Sequence, residues 1–209
     1  MKNKKEQCIG KPKLLQKKIV KNRKEKDSLP NTKLSKEDWD KIYDRFDRYF
    51  QNLHTWQEYA KEFVETPFSF ENTENIDIRK WSPDKKAGVI SYLIKYPSVM
   101  RMFYEKALFI MHEKYHFEKT DCASYAGFVS TFAKLLNPKN DVVIYFGTVI
   151  ITKSPEKEKV GKCTEHFWVT INGKLFDNSK IDGFSYRNYE AVLQSTDFMS
   201  GNFDFDKII

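Results

Sequence analysis

From Trp39 to Phe63 apolar residues return at three- and four-residue steps, through Ile42, Tyr43, Phe46, Tyr49, Phe50, Leu53, Trp56 and Tyr59. That period belongs to a helix burying one stripe. Ser35 with Asp38 resembles a capping box, so the globular part is expected to begin at residue 35 with one long helix or two. The stripe reads as core, with His54 and the intervening charges on the wet face. Asn72 to Lys80 reads as a polar connector. Ser82 followed by Pro83 predicts a helix to about Lys95, and Pro97 predicts another to about Tyr115. Tyr125, Phe128, Val129, Phe132, Leu135 and Leu136 mark a fourth, with Thr120 or Asp121 as N-cap and Asn137-Pro138 as its end.

After Pro138 the period changes from helical to extended. Val142 to Thr152 reads as a strand, and Lys153 to Lys162 as a polar loop, either a lid or an ordinary solvated turn. The run from His166 to Ser179 reads as a hairpin, because Asn172-Gly173 supplies the two positive-φ residues of a type I′ turn. The register follows from that turn. Ile171 faces Lys174, Thr170 faces Leu175, Val169 faces Phe176, and Trp168 faces Asp177. Alternate residues share a face, which puts His166, Trp168 and Asp177 on one side and Phe167, Val169, Ile171 and Phe176 on the other. His166 and Asp177 are then diagonal neighbours, roughly 7 Å apart along the backbone, a gap that two side chains can close. Asn178 falls on the wrong face unless a bulge shifts the strand.

A thiol, an imidazole and a carboxylate on these elements are the parts of a nucleophilic thiol site. Cys122 lies in the first turn of its helix, where unpaired N–H groups and the macrodipole favour a thiolate. Asp121 works against that charge, and a protonated His166 in contact is expected to prevail. Taken singly, each residue has a plainer reading. A lone buried cysteine is a small hydrophobe and a histidine opening a strand is structural. Their combination with Asp177 on a matching face is what points to chemistry.

These residues resemble a family. A cysteine opening a helix, then a strand containing His-x-Trp-Val, a short turn and a strand ending in Phe-Asp is similar to the transglutaminase-like branch of the papain-like cysteine superfamily, over about Asp121 to Ser179. The resemblance implies an α+β fold with a papain-like (transglutaminase-like) core, in which N-terminal helices and the nucleophile-bearing helix pack on an antiparallel sheet. It implies Cys122 as nucleophile, His166 as base and then acid, and Asp177 as orienter, acting on amides or thioesters. Two features depart from the family. Asp177 follows the turn sooner than in many members, and the strand Val142 to Thr152 lacks the arginine often found there. The expected cleft has the helical half, 35–136, as one wall and the sheet half, 141–209, as the other.

The expected reaction is acyl transfer from a carboxamide or peptide bond through a thioester, by a protease, amidase or deamidase rather than a crosslinking transferase. The Cys122 N–H would serve the oxyanion, and His116 or Lys119 lie within sequence reach as second donors without a signal that fixes either. The alternative is a catalytically inactive module of the same fold that binds an anionic partner or nucleic acid through a basic arm.

Composition narrows the setting. The chain has 209 residues, 40% of them hydrophobic and 15% aromatic, enough for one domain with a real core. Its formal net charge of +7 is concentrated in residues 1–34, where twelve Lys or Arg meet only Glu6, Glu25 and Asp27. Such an arm reads as a solvated, disordered extension able to approach anionic partners, and residues 35–209 as a single domain. No aromatic residue precedes Trp39, so the arm cannot stack on bases. Cys8, Cys122 and Cys163 show no disulfide-framework spacing, which points to a reducing, cytoplasmic setting. No apolar run is long enough for a membrane span, and no leader pattern is visible. Cys163-x-x-His166 has half of a zinc spacing without a matching pair, and no phosphate loop, EF-hand or dinucleotide fingerprint occurs, so neither cofactor nor metal is expected. Asp197 to Asp206, interleaved with Phe198, Phe203 and Phe205, reads as a tail docked by its aromatics.

Overall fold

The computed structural model describes residues 36–117, 120–178, 183–195 and 207–208. The basic arm and the stretch from Asp197 to Asp206 lie outside them. Among the described residues the amphipathic stripe forms one continuous helix, α1, Lys36–Glu65. The connector after it is anchored rather than loose. Phe68 and Ile76 form an isolated bridge, a single 3₁₀ turn spans Ile78–Lys80, and Ile78 is fully buried.

Ser82 accepts a hydrogen bond from the Lys85 N–H and Pro83 occupies the first turn of α2, Pro83–Lys95. Pro97 opens α3, Pro97–Tyr115, which ends on His116 in the left-handed region at φ 52°. Helix α4, Cys122–Leu136, is capped by Asp121, settling the choice left open by the sequence. The Asp121 carboxylate accepts from the Ser124 N–H while the Ser124 hydroxyl accepts from the Asp121 N–H, a reciprocal capping box. Every residue of α4 from Ala123 to Ala133 is buried. A helix apolar on all sides belongs inside a domain, and α4 packs against α1 on one side and the sheet on the other. The approach to α1 is close: a Cβ built on Gly127 would stand 2.2 Å from the Leu53 carbonyl oxygen.

The sheet is antiparallel, in the order β3-β2-β1-β4-β5, with β1 Val142–Lys153, β2 Cys163–Ile171, β3 Lys174–Phe176, β4 Ser185–Ser195 and β5 Lys207–Ile208. The hairpin has the expected register. Ile171 pairs with Lys174, Thr170 with Leu175 and Val169 with Phe176, around Asn172 and Gly173 at φ 50° and 75°. Ile144, Phe146, Phe167, Val169, Ile171 and Phe176 enter the core with the helices. There Phe146 meets Phe46 at 4.8 Å between ring centroids, and Phe167 meets Phe50 at 5.9 Å. The class is α+β, as expected. Strands β4 and β5 were not foreseen; β4 joins the free side of β1 through a ladder with register shifts near Gly147, Ile150 and Lys153.

Gly127→Ala tests the packing of α4 on α1. Helix propensity alone favours the alanine by about 1 kcal/mol, whereas forcing a methyl against backbone in a filled core costs about 1–3 kcal/mol. Urea denaturation is expected to show a net loss of stability. A gain would contradict the close approach.

Candidate functional site

The first turn of α4 delivers Cys122 to the flank of β2. Ile171 and Val169 face partners on β3, so by the alternation of an antiparallel ladder Phe167 directs its N–H to the same flank. Strand β3 ends at Phe176, opposite Val169, which leaves that flank of Phe167 open beyond it. The Cys122 sulfur occupies this place and receives the backbone N–H of Phe167 together with those of Ala123 and of Cys122 itself. Phe167 follows His166 directly, so the thiol lies one peptide from the predicted base.

The charge on that thiol is not what the sequence suggested. Burial first, and then the Asp121 carboxylate, push the Cys122 thiol up to about 12, and the three N–H groups offset only part of this. The expected thiolate is therefore corrected to a neutral thiol at pH 7. The physical reason is first the burial of the sulfur, and second the carboxylate that the capping box holds within the same turn. Asn52 on α1 fixes it further, its side-chain amide donating to Asp121 at 2.7 Å. Tyr49, one turn earlier on α1, shares this environment. Burial, and then the negative charge that Cys122 and Asp121 can carry, raise its hydroxyl.

His166 is 2% exposed and lies on the sheet face opposite Phe167. Its ring packs against Tyr186 at 4.4 Å between centroids and stacks with Trp168 at 6.3 Å. The Nε2 atom is turned toward Asp177, 3.9 Å from Oδ2. The diagonal pairing read from the hairpin thus brings the two groups together, but the separation exceeds a hydrogen bond, and the bond expected between them is not made. Buried Nε2 has no hydrogen-bond partner. The same Oδ2 instead accepts the Tyr189 hydroxyl. Asp177 also acts electrostatically on Tyr125, one turn into α4, which burial first and that carboxylate second raise. The end of β3 and the mouth of α4 are therefore neighbours.

Cys122 is the free cysteine among the described residues. Cys163 is disulfide-bonded, which corrects the expectation of a fully reduced set of thiols. His116 caps α3 on an exposed surface, and Lys119 lies outside the described residues. No three His, Cys, Asp or Glu side chains converge as a metal would require among the described residues, and no helix there is long and apolar enough to cross a membrane.

Sequence reasoning missed Tyr186 and Tyr189, whose strand was not recognised, and took Tyr49 only as core. Asn188 at φ 53° breaks the alternation between the two β4 tyrosines, which hid the strand. Compared with known proteins, the chain matches no family model, no curated protein and no solved structure.

Asp121→Asn keeps an N-cap side chain and removes the negative neighbour. Because a like charge disfavours the thiolate, the pH profile of Cys122 alkylation by iodoacetamide is expected to move to lower pH. An unchanged profile, or one moved upward, would contradict the role given to Asp121.

Proposed function

We propose that the protein is a cysteine-dependent acyl-transfer enzyme of transglutaminase-like or papain-like architecture, acting on a carboxamide or peptide bond through a thioester. The observation that carries this reading is the position of the Cys122 sulfur on the Phe167 N–H, one residue along β2 from a His166 whose Nε2 faces Asp177. With Nε2 directed at the carboxylate, Nδ1 is the nitrogen left to meet the thiol.

Because the thiol starts protonated, His166 acts as a general base in the attacking step rather than as half of a standing ion pair. Its Nδ1 takes the proton as sulfur bonds the carbonyl carbon. The oxyanion that forms is served by the Cys122 N–H at the start of α4, and Tyr49 is the hydroxyl that α1 brings to the same mouth. Collapse breaks the C–N bond, and His166 returns the proton to the departing amine. Water then bonds the acyl carbon with His166 again as base, the C–S bond breaks, and the thiol regains its proton. Hydrolysis rather than transfer to an amine is the preferred outcome, and a protein or peptide-like amide the preferred substrate.

The second reading is an inactive module of the same fold that binds an anionic partner through residues 1–34. The raised Cys122 thiol and the 3.9 Å gap at Asp177 favour it. A peptidyl vinyl sulfone separates the two. Mass spectrometry of the labelled full chain at neutral pH is expected to place the adduct on Cys122, with His166→Ala slowing it by about 100-fold or more, the usual contribution of a positioned base. Labelling of Cys122 that ignores His166→Ala supports the binding module. In that case deletion of residues 1–34 should abolish a steeply salt-dependent affinity for an anionic partner such as heparin or single-stranded DNA.

A further inference from the structure

Two polar groups compete at one carboxylate oxygen. Asp177 Oδ2 accepts the Tyr189 hydroxyl and stands 3.9 Å from His166 Nε2. That nitrogen is buried without a hydrogen-bond partner, a costly state that native structures seldom retain without a reason. The partner it lacks is close by and held elsewhere. Resting on the thiol-enzyme reading above, we propose that Tyr189 is a positioning residue: its hydroxyl holds Asp177 away from His166, and its release lets the carboxylate close on Nε2 and complete the triad.

The construction of β4 suits this task. Bulges bend a strand and re-aim its side chains, and they gather beside active sites. Here the β1–β4 ladder shifts register between Phe146 and Gly147 and again between Thr148 and Ile150. Asn188, in the left-handed region, immediately precedes Tyr189. Gly147 lies between the two partners, paired with His166 on β2 and with Ala191 on β4. A Cβ there would stand 2.1 Å from the Glu190 carbonyl oxygen. Its absence lets β4 come close enough for Tyr186 to lie against the His166 ring and for Tyr189 to reach past it to Asp177. Trp168, packed edge-on to Tyr189 at 5.2 Å between centroids, closes the other side. A shift of β4 along this irregular ladder, as an extended substrate enters beside β2, would withdraw the hydroxyl and leave Asp177 to His166.

The hydroxyl can be removed with little change of shape. In Tyr189→Phe the full chain is expected to show, by proton NMR, a downfield, slowly exchanging ring N–H resonance from His166 that wild type lacks. Cys122 should then react with a peptidyl vinyl sulfone on the order of tenfold faster at neutral pH, the value of one hydrogen bond to a charged group. Both gains should vanish when Asp177→Asn is added. Tyr189→Leu is read in the same way should the phenylalanine variant fail to fold. A merely structural tyrosine would slow labelling and create no new resonance, and that result overturns the proposal. The two readings fail separately. A new resonance with unchanged Cys122 reactivity keeps the hold on Asp177 and rejects the thiol enzyme. Labelling that still requires His166, with neither resonance nor rate altered in Tyr189→Phe, keeps the enzyme and rejects the hold.

Discussion

The amides at the start of α4 have no partners within their own helix, and how they are satisfied decides what Cys122 can do. Every helix leaves such donors at its N-terminus. Here the Ser124 N–H goes to Asp121, and those of Cys122 and Ala123 go to the sulfur, which takes a third from Phe167 on the neighbouring strand. This arrangement docks the helix mouth on the open flank of β2, with the thiol at Phe167, the residue after His166. It also has an electrostatic cost. The Asp121 carboxylate that fixes the turn, held in turn by Asn52, opposes ionisation of the thiol it positions.

The rest of the architecture maintains that docking. Buried from Ala123 to Ala133, α4 cannot slide without opening the aromatic core, where Phe63, Phe128 and Phe132 interlock with Trp56, Tyr104 and Phe103. Interiors this tightly packed pass small displacements on rather than absorb them. The backbone contact between Gly127 and Leu53 sets the height of α4 above α1, and Phe146 and Phe167 set it against the sheet. On the opposite face of the sheet His166 packs on Trp168 and Tyr186, and Asp177 stands between its Nε2 and the Tyr189 hydroxyl.

Much of this was legible from local signals that depend on near neighbours alone. Asn172-Gly173 fixed the hairpin register, Ser82-Pro83 and Pro97 fixed two helix starts, and the stripe from Phe46 to Phe63 fixed the buried side of α1. The hairpin also put His166 and Asp177 on one face without any tertiary information. What could not be read depends on contacts distant in sequence. Asn52 meets Asp121 across 69 positions, and the burial that keeps Cys122 neutral comes from the assembled core. Strand β4 was hidden because its pairing with β1 is broken by bulges, and with it went Tyr189, which holds the oxygen that His166 was expected to take.

Catalysis by Cys122 requires that sulfur and imidazole meet at the flank of β2, and a crystal structure of the full chain measures their separation directly. The prediction is a Cys122 Sγ on the Phe167 N–H with His166 Nδ1 within about 4 Å, the loosened hydrogen-bond reach of a nucleophile and base before substrate arrives. A His166 ring whose Nδ1 points away from α4, with another side chain between it and the sulfur, would contradict it.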